Sequence, residues 1–70
     1  MDYQHVIQRA QERLNLDLSE FDCEYISRMV QDGDCEFIRP GWRAVKYKGR
    51  IFKVCYSKKK HRITTVLAIE

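Results

Sequence analysis

WRAVKYKGRIFKVCYS, residues 42–57, is the stretch that decides the fold. From Trp42 to Tyr47 polar and apolar residues alternate, and from Arg50 to Ser57 they alternate again. Phe52, Val54 and Tyr56 fall on one side, and Ile51, Lys53 and Cys55 on the other. Period-two patterning rich in aromatic and β-branched residues specifies a strand. The Lys48-Gly49 pair between the runs suits a tight hairpin turn. Further along, residues 58–60 are a polar lysine loop, and residues 62–69 are β-branched enough for a final strand. On the other side, residues 35–39 can form a short strand, cut by Pro40-Gly41.

Upstream the period changes. Tyr3, Val6, Ile7, Ala10 and Leu14 recur at helical spacing over residues 3–14, with Asp2 placed to cap the helix. After the connector Asn15-Leu16-Asp17-Leu18, Ser19-Glu20-Phe21-Asp22 reads as a capping box. The helix it opens is expected to run to about Gln31 and stop at Asp32-Gly33. Phe21, Tyr25 and Met29 stack at four-residue intervals, with Ile26 and Val30 widening the stripe expected to face the core. The expected fold class is therefore α+β: two N-terminal helices packed on a 3–4-stranded antiparallel sheet. Seventy residues make a single domain, 1–70, too small to enclose a deep pocket, so any site is a shallow surface or a groove.

The two halves of the chain carry opposite charge. Residues 1–38 hold three Arg against nine Asp and Glu, a net of −6, and residues 39–70 hold ten Lys and Arg against Glu70, a net of +9. Acids Glu20, Asp22 and Glu24 sit where a helix dipole favours them, which accounts for part of the acidic half. The basic half, interleaved with Trp42, Tyr47, Phe52 and Tyr56, has the composition of a surface that tracks phosphates and stacks bases. Internal neutralisation of one half by the other is the competing explanation. On the first reading the cations form one continuous face with the acidic helices segregated from it.

Cys23, Cys35 and Cys55 are odd in number and lack metal-ligand spacing, so three reduced thiols acting as small core hydrophobes are expected, with no metal and no cofactor. The polar start Met1-Asp2-Tyr3-Gln4 does not resemble a signal peptide, and no run approaches the ~18 apolar residues of a membrane span. A cytoplasmic protein without membrane contact is expected. Phosphate-binding glycine loops, nucleophile elbows and zinc-protease motifs are absent from the sequence.

Three constellations carry candidate chemistry. His5, Arg9 and Arg13 follow at four-residue intervals and can grip a phosphate from one side of the first helix, although spacing alone favours a solvated, ion-paired face. Arg43, Lys46, Arg50, Lys53 and Tyr56 lie on the strands. Metal-free cleavage of RNA by its own 2′-hydroxyl needs a base, a cation for the phosphorane and an acid for the leaving oxygen, and these residue types can supply them where they converge. Tyr56 is also suited to be a core ring. Lys58, Lys59, Lys60, His61 and Arg62 form a basic hairpin loop that can clamp phosphate or simply discourage edge pairing.

Taken together the pieces resemble short RelE-like domains of the barnase–colicin–RelE toxin superfamily, in particular small phage and bacterial relatives. His5-x-x-x-Arg9-x-x-x-Arg13 is similar to their helix opening H-A-x-x-R-x-x-x-R. Tyr47-Lys48-Gly49-Arg50, Val54-Cys55-Tyr56-Ser57 and Ile63-Thr64-Thr65-Val66-Leu67 are similar to their closing hairpin Y-x-G-x…V-x-Y-x…I-x-T-V-L. The resemblance implies RNA binding and a metal-independent endoribonuclease toxin, with Lys53, Tyr56, His61 and Arg50 at the catalytic positions. RNA or another polyanion is the expected partner, through His5, Arg9, Arg13, Arg43, Lys46, Lys58, Lys59, Lys60 and Arg62, with an antitoxin or host protein as a second one. The alternative is a non-catalytic, phage-encoded protein that binds and inhibits a host or defence protein.

Overall fold

The computed structural model describes residues 3–69. In chain order these form α1 (Gln4–Leu14), α2 (Glu20–Gln31), β1 (Glu36–Arg39), β2 (Trp42–Tyr47), β3 (Arg50–Ser57) and β4 (Arg62–Ala68). The strands make one antiparallel meander in the order β1-β2-β3-β4, and both helices pack against it, so the fold is α+β. The Asp2 cap expected for α1 lies outside the described residues.

The hairpin forms as its sequence requires. Lys48 and Gly49 both take positive φ, 53° and 75°, the signature of a type I′ turn, whose twist matches the flanking strands. The turn sets Tyr47 opposite Arg50 and Val45 opposite Phe52. Side chains alternate along each strand, so Arg43, Val45 and Tyr47, with Phe52, Val54 and Tyr56, share the face that carries the helices. Trp42, Ala44 and Lys46, with Lys53 and Cys55, share the helix-free face. Between β1 and β2, Pro40 fixes the first central turn residue and Gly41 takes φ 85° at the second, as a type II turn demands.

The β3–β4 connection closes on itself. The Ser57 carbonyl accepts the His61 N–H at 2.7 Å, and the Ser57 hydroxyl accepts the Lys60 N–H at 3.2 Å. A bulge follows in β4, where Tyr56 pairs with Ile63 while Cys55 pairs with Thr65. The bulge keeps both Ile63 and Val66 on the buried face. α1 buries Val6, Ala10 and Leu14, mainly against β4, and ends on Asn15 in the left-handed conformation. Leu16 and Leu18 in the connector are buried as well. Each apolar side chain removed from water in this core contributes roughly 1.5–3 kcal/mol.

α2 opens with the expected capping box, Ser19 and Asp22 each satisfying the other's backbone. Its buried face matches the expected stripe only in part: Ile26 is buried and Met29 and Val30 pack against the core, but Phe21 and Tyr25 do not. Cys23, Ile26 and Ser27 face the core with Asp22, whereas Phe21 and Tyr25 are 73% and 51% exposed. The helix is turned away from the centre of its apolar stripe, so that Asp22, Cys23 and Ser27 take the core positions that Phe21 and Tyr25 leave. Two polar anchors explain the turn. The Ser27 hydroxyl donates to the Cys23 carbonyl at 2.9 Å and accepts the Ile63 N–H at 3.0 Å, tying the helix to the bulged strand. The Asp22 carboxylate accepts from the Tyr47 hydroxyl at 2.5 Å, the Ser19 N–H at 2.8 Å and Lys48 Nζ at 3.2 Å, tying it to the β2–β3 turn.

Of the three thiols only Cys23 is a core residue, and burial, with Asp22, Glu20 and Glu24 nearby, pushes it up to about 12. Cys35 is half-buried and packs against the core, whereas Cys55 is half-buried away from it, against the expectation. Cys55 belongs to the helix-free face, which no second layer covers.

Burial by itself would raise the Asp22 carboxyl, but the hydrogen bonds from Tyr47, Ser19 and Lys48 outweigh it and hold the group well below the usual carboxylate range. A depressed folded-state value means that Asp22 stabilises the fold fully above its unfolded value of ~3.9 and progressively less as pH falls below that. Asp22→Asn is therefore expected to cost about 1–3 kcal/mol at pH 7. It should also flatten the loss of stability between pH 4 and pH 2, measured by urea unfolding across that range. Equal pH slopes for parent and variant would remove Asp22 from this role.

Candidate nucleic-acid interface

Two turns meet at one end of the sheet, Pro40-Gly41 before β2 and residues 58–61 after β3. The Gly41 carbonyl accepts the Tyr56 N–H at 2.8 Å, so the β1–β2 turn is fastened directly to the end of β3. On the helix-bearing face this junction leaves an open cleft of about 430 Å³ lined by Phe37, Pro40, Gly41, Arg43, Tyr56 and Lys58. Tyr56 has its ring half-buried against the core, and its hydroxyl has no hydrogen-bond partner among the described residues.

The Arg43 guanidinium is held in place. Its Nη1 donates to the carbonyls of Trp42 at 2.9 Å and Arg39 at 3.3 Å, and its central carbon lies 4.8 Å from the Phe37 ring centroid. Those contacts use one nitrogen and leave the others to face a ligand. Among the described residues no carboxylate forms an ion pair with Arg43 or Lys58. Two cations and two aromatic rings thus meet in one groove, three of the four being residues singled out in the sequence.

The remaining candidates are dispersed. Lys53 projects from the helix-free face, between Ala44 and Leu67, and so points away from Tyr56. Arg50 shares the face of Tyr56 but stands six residues away, ~20 Å along an extended strand, where its Nη2 donates to the Leu14 carbonyl at 2.7 Å and closes the end of α1. His61 is exposed in the turn at φ 58°, and its carbonyl accepts from Gln31 Nε2 at 3.0 Å. The expected catalytic set of Lys53, Tyr56, His61 and Arg50 therefore does not converge, because strand alternation and strand length separate its members.

The helix row also comes apart. Arg9 pairs with Glu12 at 3.1 Å, and Arg13 donates to the Val66 carbonyl on the outer edge of β4 at 3.2 Å. His5 instead joins Lys60 and Arg62 around a second, shallower cleft of about 360 Å³ on the far side of the β3–β4 turn. Arg62 there lies 5.7 Å from the Tyr3 ring. Lys46 lies on the helix-free face and Lys59 is exposed in the turn. The cations are thus divided among the cleft end, the helix-free face and structural positions, and do not form one continuous face. Phe37, 65% exposed in the cleft wall, was not identified as a site residue from the sequence. Its place beside the Pro40-Gly41 turn was the available signal.

Comparisons with protein-family models, with curated proteins and with solved structures give no match. Among the described residues no group of His, Cys, Asp or Glu is arranged to hold a metal ion, and no helix is long and apolar enough to cross a membrane.

A structural role for Arg50 and a solvent-facing one for Lys53 lead to different outcomes on truncation. Arg50→Ala is expected to lower unfolding free energy by about 1 kcal/mol, because a helix-end carbonyl loses its donor. Lys53→Ala is expected to stay within about 0.5 kcal/mol of the parent. Denaturant unfolding of the two variants checks this, and the reverse ranking would overturn the assignment.

Proposed function

We propose that this domain binds single-stranded RNA, seating a backbone phosphate between Arg43 and Lys58 and a base against Tyr56 and Phe37. The observation that carries the proposal is the cleft itself, which joins two cations without carboxylate partners to two aromatic rings. A guanidinium already fixed by two carbonyls loses little freedom on gripping phosphate. Exposed rings favour unpaired bases, whose faces are free to stack. The lysines of residues 58–60 lie between this cleft and the His5–Lys60–Arg62 cleft, so a strand crossing the turn would meet cations on both sides. The order of two helices followed by an antiparallel meander is also the arrangement implied by the RelE-like resemblance.

Cleavage is a separate question from binding. Within the cleft, Tyr56 can act as an acid and Lys58 or Arg43 can steady a phosphorane, with His61 in the adjoining turn as the nearest candidate base. Lys53 and Arg50 have no place in that chemistry. The Tyr56→Phe variant keeps the ring and removes only the hydroxyl, so it separates stacking from proton transfer. Any metal-independent cleavage should fall ~10²–10⁴-fold in this variant while binding persists. RNA left intact at full binding identifies a module that binds without cutting.

Binding is tested by fluorescence anisotropy with a labelled single-stranded RNA over a series of salt concentrations. Each phosphate contact to a single strand contributes about −0.7 to the log–log salt slope, so Arg43→Ala with Lys58→Ala, which together remove the contact to one phosphate, should make it shallower by about 0.7. Phe37→Ala should weaken binding by roughly 1–3 kcal/mol without changing that slope. Affinity that is independent of salt, or a double variant that binds like the parent, would remove the cleft as the RNA site.

A further inference from the structure

The outward turn of α2 leaves a second surface that RNA binding does not use. Phe21 and Tyr25 lie one helical turn apart with ring centroids 6.5 Å apart, and Tyr25 lies 5.5 Å from Tyr47 on β2. A row of three rings therefore crosses from the helix onto the sheet. Its sheet end is anchored, because the Tyr47 hydroxyl is bonded to Asp22. Shallow cavities run along the helix beside this row, one lined by Phe21, Glu24, Tyr25 and Arg28, the next sharing Tyr25 and Arg28 and reaching Asp32 and Asp34.

The charge on this surface is one-sided. Glu20, Glu24, Asp32 and Asp34 are exposed along it against the single cation Arg28, a net of −3. Glu20 is explained by the helix dipole. Asp32 and Asp34 are not, because they stand at the C-terminal end, where the dipole disfavours negative charge. Among the described residues neither has an ion-pair partner. An acidic rim around exposed rings repels a phosphate backbone and attracts a cation.

We infer that this side of α2 is a docking surface for a cationic amphipathic helix of a partner protein. Aromatic rings one turn apart accept apolar anchors at i and i+4 from a facing helix, and the acids at both ends pair with flanking Lys or Arg. The anchored Tyr47 ring loses little conformational freedom on binding, which favours affinity over what its area alone would give. A helix suits the surface better than a strand, because α2 offers no open row of backbone donors and acceptors to extend.

The test uses the full chain and three labelled synthetic peptides of equal length. One carries Leu and Trp at i, i+4 and i+7 with Lys and Arg elsewhere; the second replaces Lys and Arg with Glu; the third replaces Leu and Trp with Ser. The first peptide is expected to bind at least tenfold more tightly than either control, and to shift backbone amide resonances within residues 20–34. Phe21→Ala with Tyr25→Ala should weaken it at least tenfold and leave RNA affinity unchanged. Both rings are exposed, and circular dichroism checks that the variant keeps its fold. Asp32→Asn with Asp34→Asn, outside the helix, should weaken it and make its salt dependence shallower. Failure of the first peptide to bind, equal binding of the polar cationic control, or shifts confined to the Tyr56 cleft would overturn the proposal. So would sedimentation showing that the parent self-associates and the double aromatic variant does not, because the occupant would then be a second copy of the chain.

Discussion

The Asp22 carboxylate sets how α2 sits on the sheet and which side of the helix faces solvent. It closes the capping box of α2, accepts the Tyr47 hydroxyl and pairs with Lys48 in the β2–β3 turn. A helix start, a strand end and a hairpin turn are thereby fixed relative to one another through one nearly buried side chain. Such a charge is stable only when its lone pairs are filled, so the rotation of α2 follows from the carboxylate and not from the apolar stripe. Removing any one donor leaves the others around a less well satisfied group, which is why the network acts as a unit. The Tyr47 phenol responds in kind, its bond to Asp22 and its burial pushing it up to about 12.

The same rotation determines what α2 shows to solvent. Leaving Phe21 and Tyr25 in water forgoes roughly 1.5–3 kcal/mol for each ring that a core position would have contributed. In exchange the helix buries Asp22 and Ser27 with every polar atom bonded, and among the described residues no buried side-chain polar atom lacks a partner.

Most of the fold was legible because its signals are local. The Lys48-Gly49 turn, the alternation on either side of it and the Ser19–Asp22 box each specify structure within a few residues, and all form as read. The Ile26, Met29 and Val30 part of the α2 face was legible, but the exposure of Phe21 and Tyr25 was not, since the partners that turn the helix, Tyr47, Lys48 and Ile63, are 25–36 residues away along the chain. The same limit governs the candidate site. Parity alone separates Lys53 from Tyr56, and the sequence displays that parity. The cleft was not visible, because it depends on the Gly41–Tyr56 backbone bond that brings two turns together. Arg50 drew attention as a strand cation, yet its partner is the last carbonyl of α1, a contact that no spacing within the strand could reveal.

The charge split takes a different meaning once these partners are known. Lys48 and Arg50, at the turn end of the hairpin, are bound to Asp22 and to the α1 terminus, so the acidic half does neutralise part of the basic half. Internal neutralisation therefore accounts for the turn end of the β2–β3 hairpin. The structural cations gather where α1 ends and α2 begins, because helix termini and capping acids are the groups that need them. Arg43, Lys58 and Lys60 lie at the other end, around the two clefts beside the β3–β4 turn. Arg43 and Lys58 pair with no carboxylate among the described residues. A meander with both helix-terminus contacts at one end must place its remaining turns at the other, so topology itself concentrates there the cations that no helix terminus engages.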